Sequence, residues 1–139
     1  SAFQWSAADT GVVNRWDVET IAVHEIGHFN GLGHSAIGET TTGTGGRRVI
    51  SSESAMFPIA LGTNDISGRT LDADDIAGIS DIYPTPDFAT TTGSLSGRVT
   101  RNGSGLFGVH VVAFNPSTGE QVGNFTLSRD GRFAIAGLR

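Results

Sequence analysis

The stretch that decides how this chain is read is His24-Glu25-Ile26-Gly27-His28-Phe29-Asn30-Gly31-Leu32-Gly33-His34. Just before it, Asp17 reads as a helix N-cap, and Glu19 falls in the first turn, where the helix dipole favours negative charge. Ile21, His24, Glu25, His28 and Leu32 then recur at helical spacing. Side chains four apart on a helix differ by about 40° around the axis and lie one turn apart, so the imidazoles of His24 and His28 can reach one ion. Glu25, next to His24, projects toward the open side of that ion. It can take a proton from water there without being a ligand.

A catalytic zinc takes three protein ligands and keeps a fourth position open. A helix running on past His28 would carry His34 another ~9 Å along the axis. A sharp turn at Gly31 instead folds the chain back, and Gly31 and Gly33 are expected to end the helix there. The string is then a metal site of His24, His28 and His34, with Glu25 as general base and a glycine hinge between the second and third ligands. Three of the four histidines in the chain fall at these offsets.

The pattern HExxHxxGxxH is the metzincin signature, and the segment around it resembles the matrixin branch of that clan. His34-Ser35 looks like that branch, where Ser or Thr commonly follows the third histidine. Ser54-Ala55-Met56-Phe57-Pro58 is similar to the Met-turn, whose Met packs beneath the zinc site. In the family the residues after it wall the pocket for the side chain that follows the cut bond. Leu71 to Tyr83 is similar to the family's last helix, where paired acids at the positions of Asp74 and Asp75 cap the helix and tie it to the Met-turn. The alternative, that Asp74 and Asp75 are dipole residues on a solvated face, stays open at this point. The resemblance covers about residues 17 to 84. It implies an α+β fold, the C-terminal active-site half of a metzincin catalytic domain, whose sheet would lie upstream of these residues. It implies Zn2+ as cofactor and peptide-bond hydrolysis by a zinc-bound water with Glu25 as base. It also implies a protein or peptide substrate and a secreted or cell-surface location.

Outside that stretch the sequence is less specific. Net charge is −5, which favours neither nucleic acid nor an anionic membrane. No apolar run approaches the ~18 residues of a membrane span. The absence of cysteine leaves His and carboxylates as the strong metal ligands. Phe3, Trp5 and Trp16 are expected as core pieces of a wall that lies mostly upstream, and residues 35–54, rich in Gly and Thr, as a long surface loop. A second helix is expected from near Asp72, with Ile76, Ile79, Ile82 and Tyr83 as its apolar stripe and Pro84 as its stop.

A domain of residues 1–84 is expected to give way to a Pro/Thr/Gly linker, 85–94, and then to a module of short strands over 95–139. Leu95–Thr100, Val109–Phe114, Val122–Leu127 and Phe133–Ile135 are the strand candidates. Asn102-Gly103, Ser117-Thr118-Gly119 and Asp130-Gly131 are the turns. This part resembles a carboxypeptidase-regulatory-like β-sandwich module, in a copy expected to be truncated, and it offers a surface for a cell-surface or matrix partner. His110 sits in its strand alternation and reads as structural. Two other functional readings stay open: a catalytically inactive binding or adhesion protein stabilised by zinc, and a metalloenzyme acting on a non-peptide amide.

Overall fold

The structure, a computed structural model, describes residues 3–44, 46–52, 54–60 and 62–139. Their contacts divide the chain into two compact units, Ser1–Asp75 and Ile76–Arg139.

The first unit opens with two short parallel strands, β1 (Trp5–Ser6) and β2 (Trp16–Asp17), with Trp5 opposite Trp16. The ring of Phe3 lies 6.4 Å from Trp5 and 6.1 Å from Trp16. Phe3 is 71% and Trp5 48% exposed, and Trp16 is half-buried. The rings shield one another on a strand pair too short to enclose them.

Helix α1 (Val18–Phe29) follows directly. Asp17 caps it, accepting from Thr20 N–H at 2.7 Å. The same carboxylate takes a two-pronged contact from Arg69, Nε to Oδ2 at 2.9 Å and Nη2 to Oδ1 at 2.5 Å. Arg69 also donates to the carbonyls of Ala8 and Asp9, and its Nη1 lies 3.2 Å from Glu19. One guanidinium thus ties the N-terminal segment to the start of the helix. It sits at the end of a short 3-10 turn, Ser67–Arg69.

Residues 38–52 are not the featureless loop expected from their Gly and Thr content. They form an antiparallel hairpin of β3 (Gly38–Gly43) and β4 (Gly46–Ser52), with a register shift between Glu39 and Thr40. β-branched residues such as Thr40-Thr41-Thr42 and Val49-Ile50 favour strands by type, and Gly43 pairs with Gly46 at the end of the ladder. The buried interior of the unit is small and half polar. Ile37, Ala55 and Met56 share it with Asp17, Ser35, Ser54 and Asp75.

The boundary between the units falls inside α2 (Ala73–Ile82). The expected stripe on this helix is only partly covered. Ile76, Ile82 and Tyr83 are exposed, whereas Ala77 is buried. Ala77 is small because the backbone of Gly137 lies against it: a Cβ on Gly137 would stand 2.9 Å from the Ala77 Cβ.

Within residues 85–94 there is a short helix, α3 (Phe88–Thr91), and the start of β5 (Gly93–Arg98). The strands β6 (Thr100–Arg101) and β7 (Ser104–Gly105), β8 (His110–Phe114) and β9 (Gln121–Phe125), and β5 and β10 (Arg132–Leu138) pair antiparallel. Asn102 and Gly103, both at positive φ, make the first reversal. Thr126, fully buried, anchors this unit: its hydroxyl donates to Leu106 O at 2.6 Å and accepts from Val109 N–H at 2.9 Å. His110 packs its ring 4.6 Å from Phe125, its partner across the ladder.

Candidate metal centre

The three histidines of the signature come together. Nitrogen atoms of His24, His28 and His34 all lie within 4.8 Å of one another. His24 and His28 project from one side of α1, as their spacing requires. His34 is brought back by the turn that ends the helix. Gly31 N–H donates to His28 O and Leu32 N–H to Gly27 O, both at 3.0 Å, with Gly31 at φ 97°. That pair of bonds is a Schellman ending, which needs a residue in the left-handed region. Gly33 takes no part in it, because its φ lies outside the left-handed region.

The ring orientations follow from two backbone carbonyls. His24 Nδ1 lies 2.8 Å from Ala55 O, and His28 Nδ1 lies 2.9 Å from Leu32 O. A carbonyl oxygen only accepts, so each Nδ1 must carry the hydrogen. In the neutral ring this leaves the Nε2 lone pair free for a ligand. Zinc holds nitrogen at 2.0–2.1 Å in tetrahedral geometry, which places two ligand nitrogens roughly 3.3 Å apart. His28 Nε2 and His34 Nε2 are 3.1 Å apart. The donor set therefore fits zinc in number, type and spacing.

Behind the histidines the wall is built from Ser54, Ala55 and Met56. Met56 is 3% exposed, and its sulfur fills the space beside Gly27; a Cβ there would stand 2.2 Å from Sδ. Asp75, 2% exposed, holds this wall in place. Its carboxylate accepts from Ser54 Oγ at 2.7 Å, Ala55 N–H at 2.8 Å and Met56 N–H at 3.1 Å. It also accepts from Asp72 N–H at 3.0 Å, closing the first turn of α2 as a capping box does. Asp74 accepts from the hydroxyl of Ser35, the residue after His34, at 2.5 Å. The adjacent acids thus brace both sides of the histidine trio, and the reading of them as solvated dipole residues is overturned.

A cleft of about 180 Å³ lies beside His24 and Glu25. Thr20 and Ile21 of α1 form one side, and Phe57 to Ala60 with Asp65, Ser67 and Gly68 form the other. Glu25 is exposed at its edge. His110 lies in the second unit and is not part of the trio.

Several contributors were not singled out from the sequence. Gly27 stood as a variable position, yet a glycine inside a helix was itself a signal of close approach. Ser54 and Ala55 act through one hydroxyl and backbone groups, which composition does not reveal. Asp65 lies forty residues from Glu25 in sequence and shares no spacing pattern with it.

No family model matches the chain, and no solved structure matches it. Curated proteins do, three metalloendoproteinases among them. Metalloendoproteinase 2-MMP of Arabidopsis thaliana is 38% identical over 78 residues, 55% of this chain and 16% of that protein. Part of this chain is similar to matrixin metalloendoproteinases. Stromelysin-1 of Mus musculus is 31% identical over 83 residues, 60% of the chain and 14% of that protein. Metalloendoproteinase 4-MMP of Arabidopsis thaliana is 30% identical over 86 residues, 62% and 20%. The aligned part spans a fifth or less of each of these matrixin relatives. The fold is mixed helix and strand, as such a partial catalytic domain would be. Among the described residues no helix is long and apolar enough to cross a membrane.

Proposed function

We propose that this chain carries the active-site half of a matrixin-like zinc endopeptidase, with His24, His28 and His34 as zinc ligands and Glu25 as general base. The observation that carries the reading is the convergence of three imidazoles, two of them held by carbonyls in the tautomer that leaves Nε2 free. A zinc ion bound there supplies Lewis acidity, polarising a carbonyl and acidifying water. The rest is done by the protein. Ala55 O and Leu32 O orient two of the rings. Glu25 accepts the proton of the attacking water as the C–O bond forms, and delivers it to the nitrogen as the C–N bond breaks. The cleft beside Glu25 receives the side chain that follows the cut bond.

The second unit, with its short antiparallel strands, supports a carboxypeptidase-regulatory-like module that positions the enzyme at a cell-surface or matrix partner. A secreted or cell-surface location goes with that reading, and it rests on the character of the relatives.

The test is Glu25→Ala in the zinc-loaded protein. The variant is expected to bind zinc at the wild-type stoichiometry and to lose peptide hydrolysis by about 10²–10⁴-fold, the usual contribution of a positioned base. Undiminished hydrolysis would refute the assignment. An intact zinc site with no peptide cleaved by the wild type would favour the inactive, zinc-stabilised binding protein. Cleavage of non-peptide amides alone would favour the third reading.

A further inference from the structure

We infer that the cleft beside His24 and Glu25 selects a cationic side chain, arginine or lysine, in the residue after the cut bond, and that Asp65 is the residue that selects it. The inference rests on the endopeptidase reading for what occupies the cleft, and on the cleft's own chemistry for its charge. Apart from His24 the lining holds two ionisable groups, Glu25 and Asp65, both acidic. Asp65 is half-buried and accepts one hydrogen bond, from Ser67 N–H to Oδ1 at 3.0 Å. Its other oxygen has no protein donor among the described residues. Arg69, the nearest arginine in sequence, is committed to Asp17 and Glu19.

The remaining lining suits a long stem with a polar tip. Ile21, Phe57 and Ile59 provide apolar walls, and Thr20 and Ser67 also line the cleft. An arginine or lysine side chain lays its methylenes along apolar surface and puts its charge at the far end. A wholly aliphatic side chain would leave the carboxylate of Asp65 partly desolvated and without a counter-charge, which is unfavourable. The wider field acts in the same sense. Ten of the 14 acidic side chains lie before Ile76, with four of the nine arginines.

The experiment uses the zinc-loaded chain and peptides identical except at the residue after the cut bond, which is arginine, lysine, norleucine, glutamine or glutamate. The expected kcat/KM for arginine and lysine exceeds that for norleucine by about tenfold, as one partly solvated charge-assisted hydrogen bond would give. The preference should shrink as salt rises. In Asp65→Asn the gap between arginine and norleucine should close. Asn keeps the acceptor for Ser67 N–H, so the local turn survives. A parallel titration follows the Ser67 and Gly68 amide resonances of the zinc-loaded Glu25→Ala protein with the same peptides, and arginine should again bind about tenfold more tightly than norleucine. Cleavage without charge preference overturns the inference and leaves the endopeptidase reading standing. Selective binding without cleavage, lost in Asp65→Asn, supports the charge selection by Asp65 and overturns the endopeptidase reading together with the cut-bond position assigned to the cleft. Equal binding of all five peptides overturns the inference whether or not any is cut.

Discussion

Gly27 illustrates how closely the centre is packed at the level of one atom. Alanine would normally strengthen a helix interior by about 1 kcal/mol relative to glycine. Here its methyl would stand 2.2 Å from Met56 Sδ, deep in a buried wall. Overpacking of this kind costs roughly 1–3 kcal/mol, so steric conflict outweighs propensity. Gly27→Ala should lower the thermal midpoint in the wild type and lower it less, or not at all, in a Met56→Ala background. Thermal unfolding of the single and double variants measures the coupling. Asp75 is the other decisive residue. Its carboxylate serves four donors in a nearly inaccessible site. Asp75→Ala would orphan buried N–H groups and free the segment whose Ala55 carbonyl orients His24. Supporting contacts of this sort are worth about 10–100-fold in metal affinity. A competition titration against a zinc chelator should show a loss in that range.

At the scale of elements, the helix ending matters as much as the helix. His34 reaches the other ligands because the chain reverses over Asn30 and Gly31, with Gly31 at φ 97°. An L side chain there is strained by roughly 1–2 kcal/mol. Gly31→Ala should weaken zinc binding more than it weakens α1, so circular dichroism would change little while the chelator titration changes clearly. The helix is otherwise lightly supported. No residue of α1 is fully buried, and Phe29 is 90% exposed. The start of α1 and the reversal were legible in sequence because caps and glycine hinges are local chemistry. The hairpin of β3 and β4 was not, because Gly and Thr serve loops and strands alike. The stripe on α2 was misjudged for a related reason: period locates an apolar face, but only tertiary packing decides whether that face is covered.

Across the whole molecule, the histidine trio was readable because all three lie within eleven consecutive residues. The cleft was readable only where the resemblance put residues after Met56 in a pocket wall; its other side chains, from Thr20 to Gly68, share no period. The tie between Arg69 and the start of α1 belongs to this scale as well. Hydrogen bonds and charge from Arg69, with the Thr20 amide, hold the Asp17 carboxyl well below the usual carboxylate range, although burial opposes this. A carboxyl with a lowered folded-state pKa binds fewer protons folded than unfolded. Its stabilisation is therefore complete above about pH 4 and is lost as pH falls below that. Wild-type stability should decline on acidification, and Arg69→Met should remove part of the slope. Thermal melts between pH 5 and pH 2 compare the two.

The reversal at Gly31 also bears on the order in which such a site is made. The ligands are neighbours along the chain, so the loops that join them close quickly and at small entropic cost. Their brace, Asp75, stands more than forty residues downstream of His34 and must wait for a slower, longer-range encounter. On the proposed reading, a nascent chain traps zinc loosely on its imidazoles first and tightens its grip only once Asp74 and Asp75 are in place, so capture precedes locking.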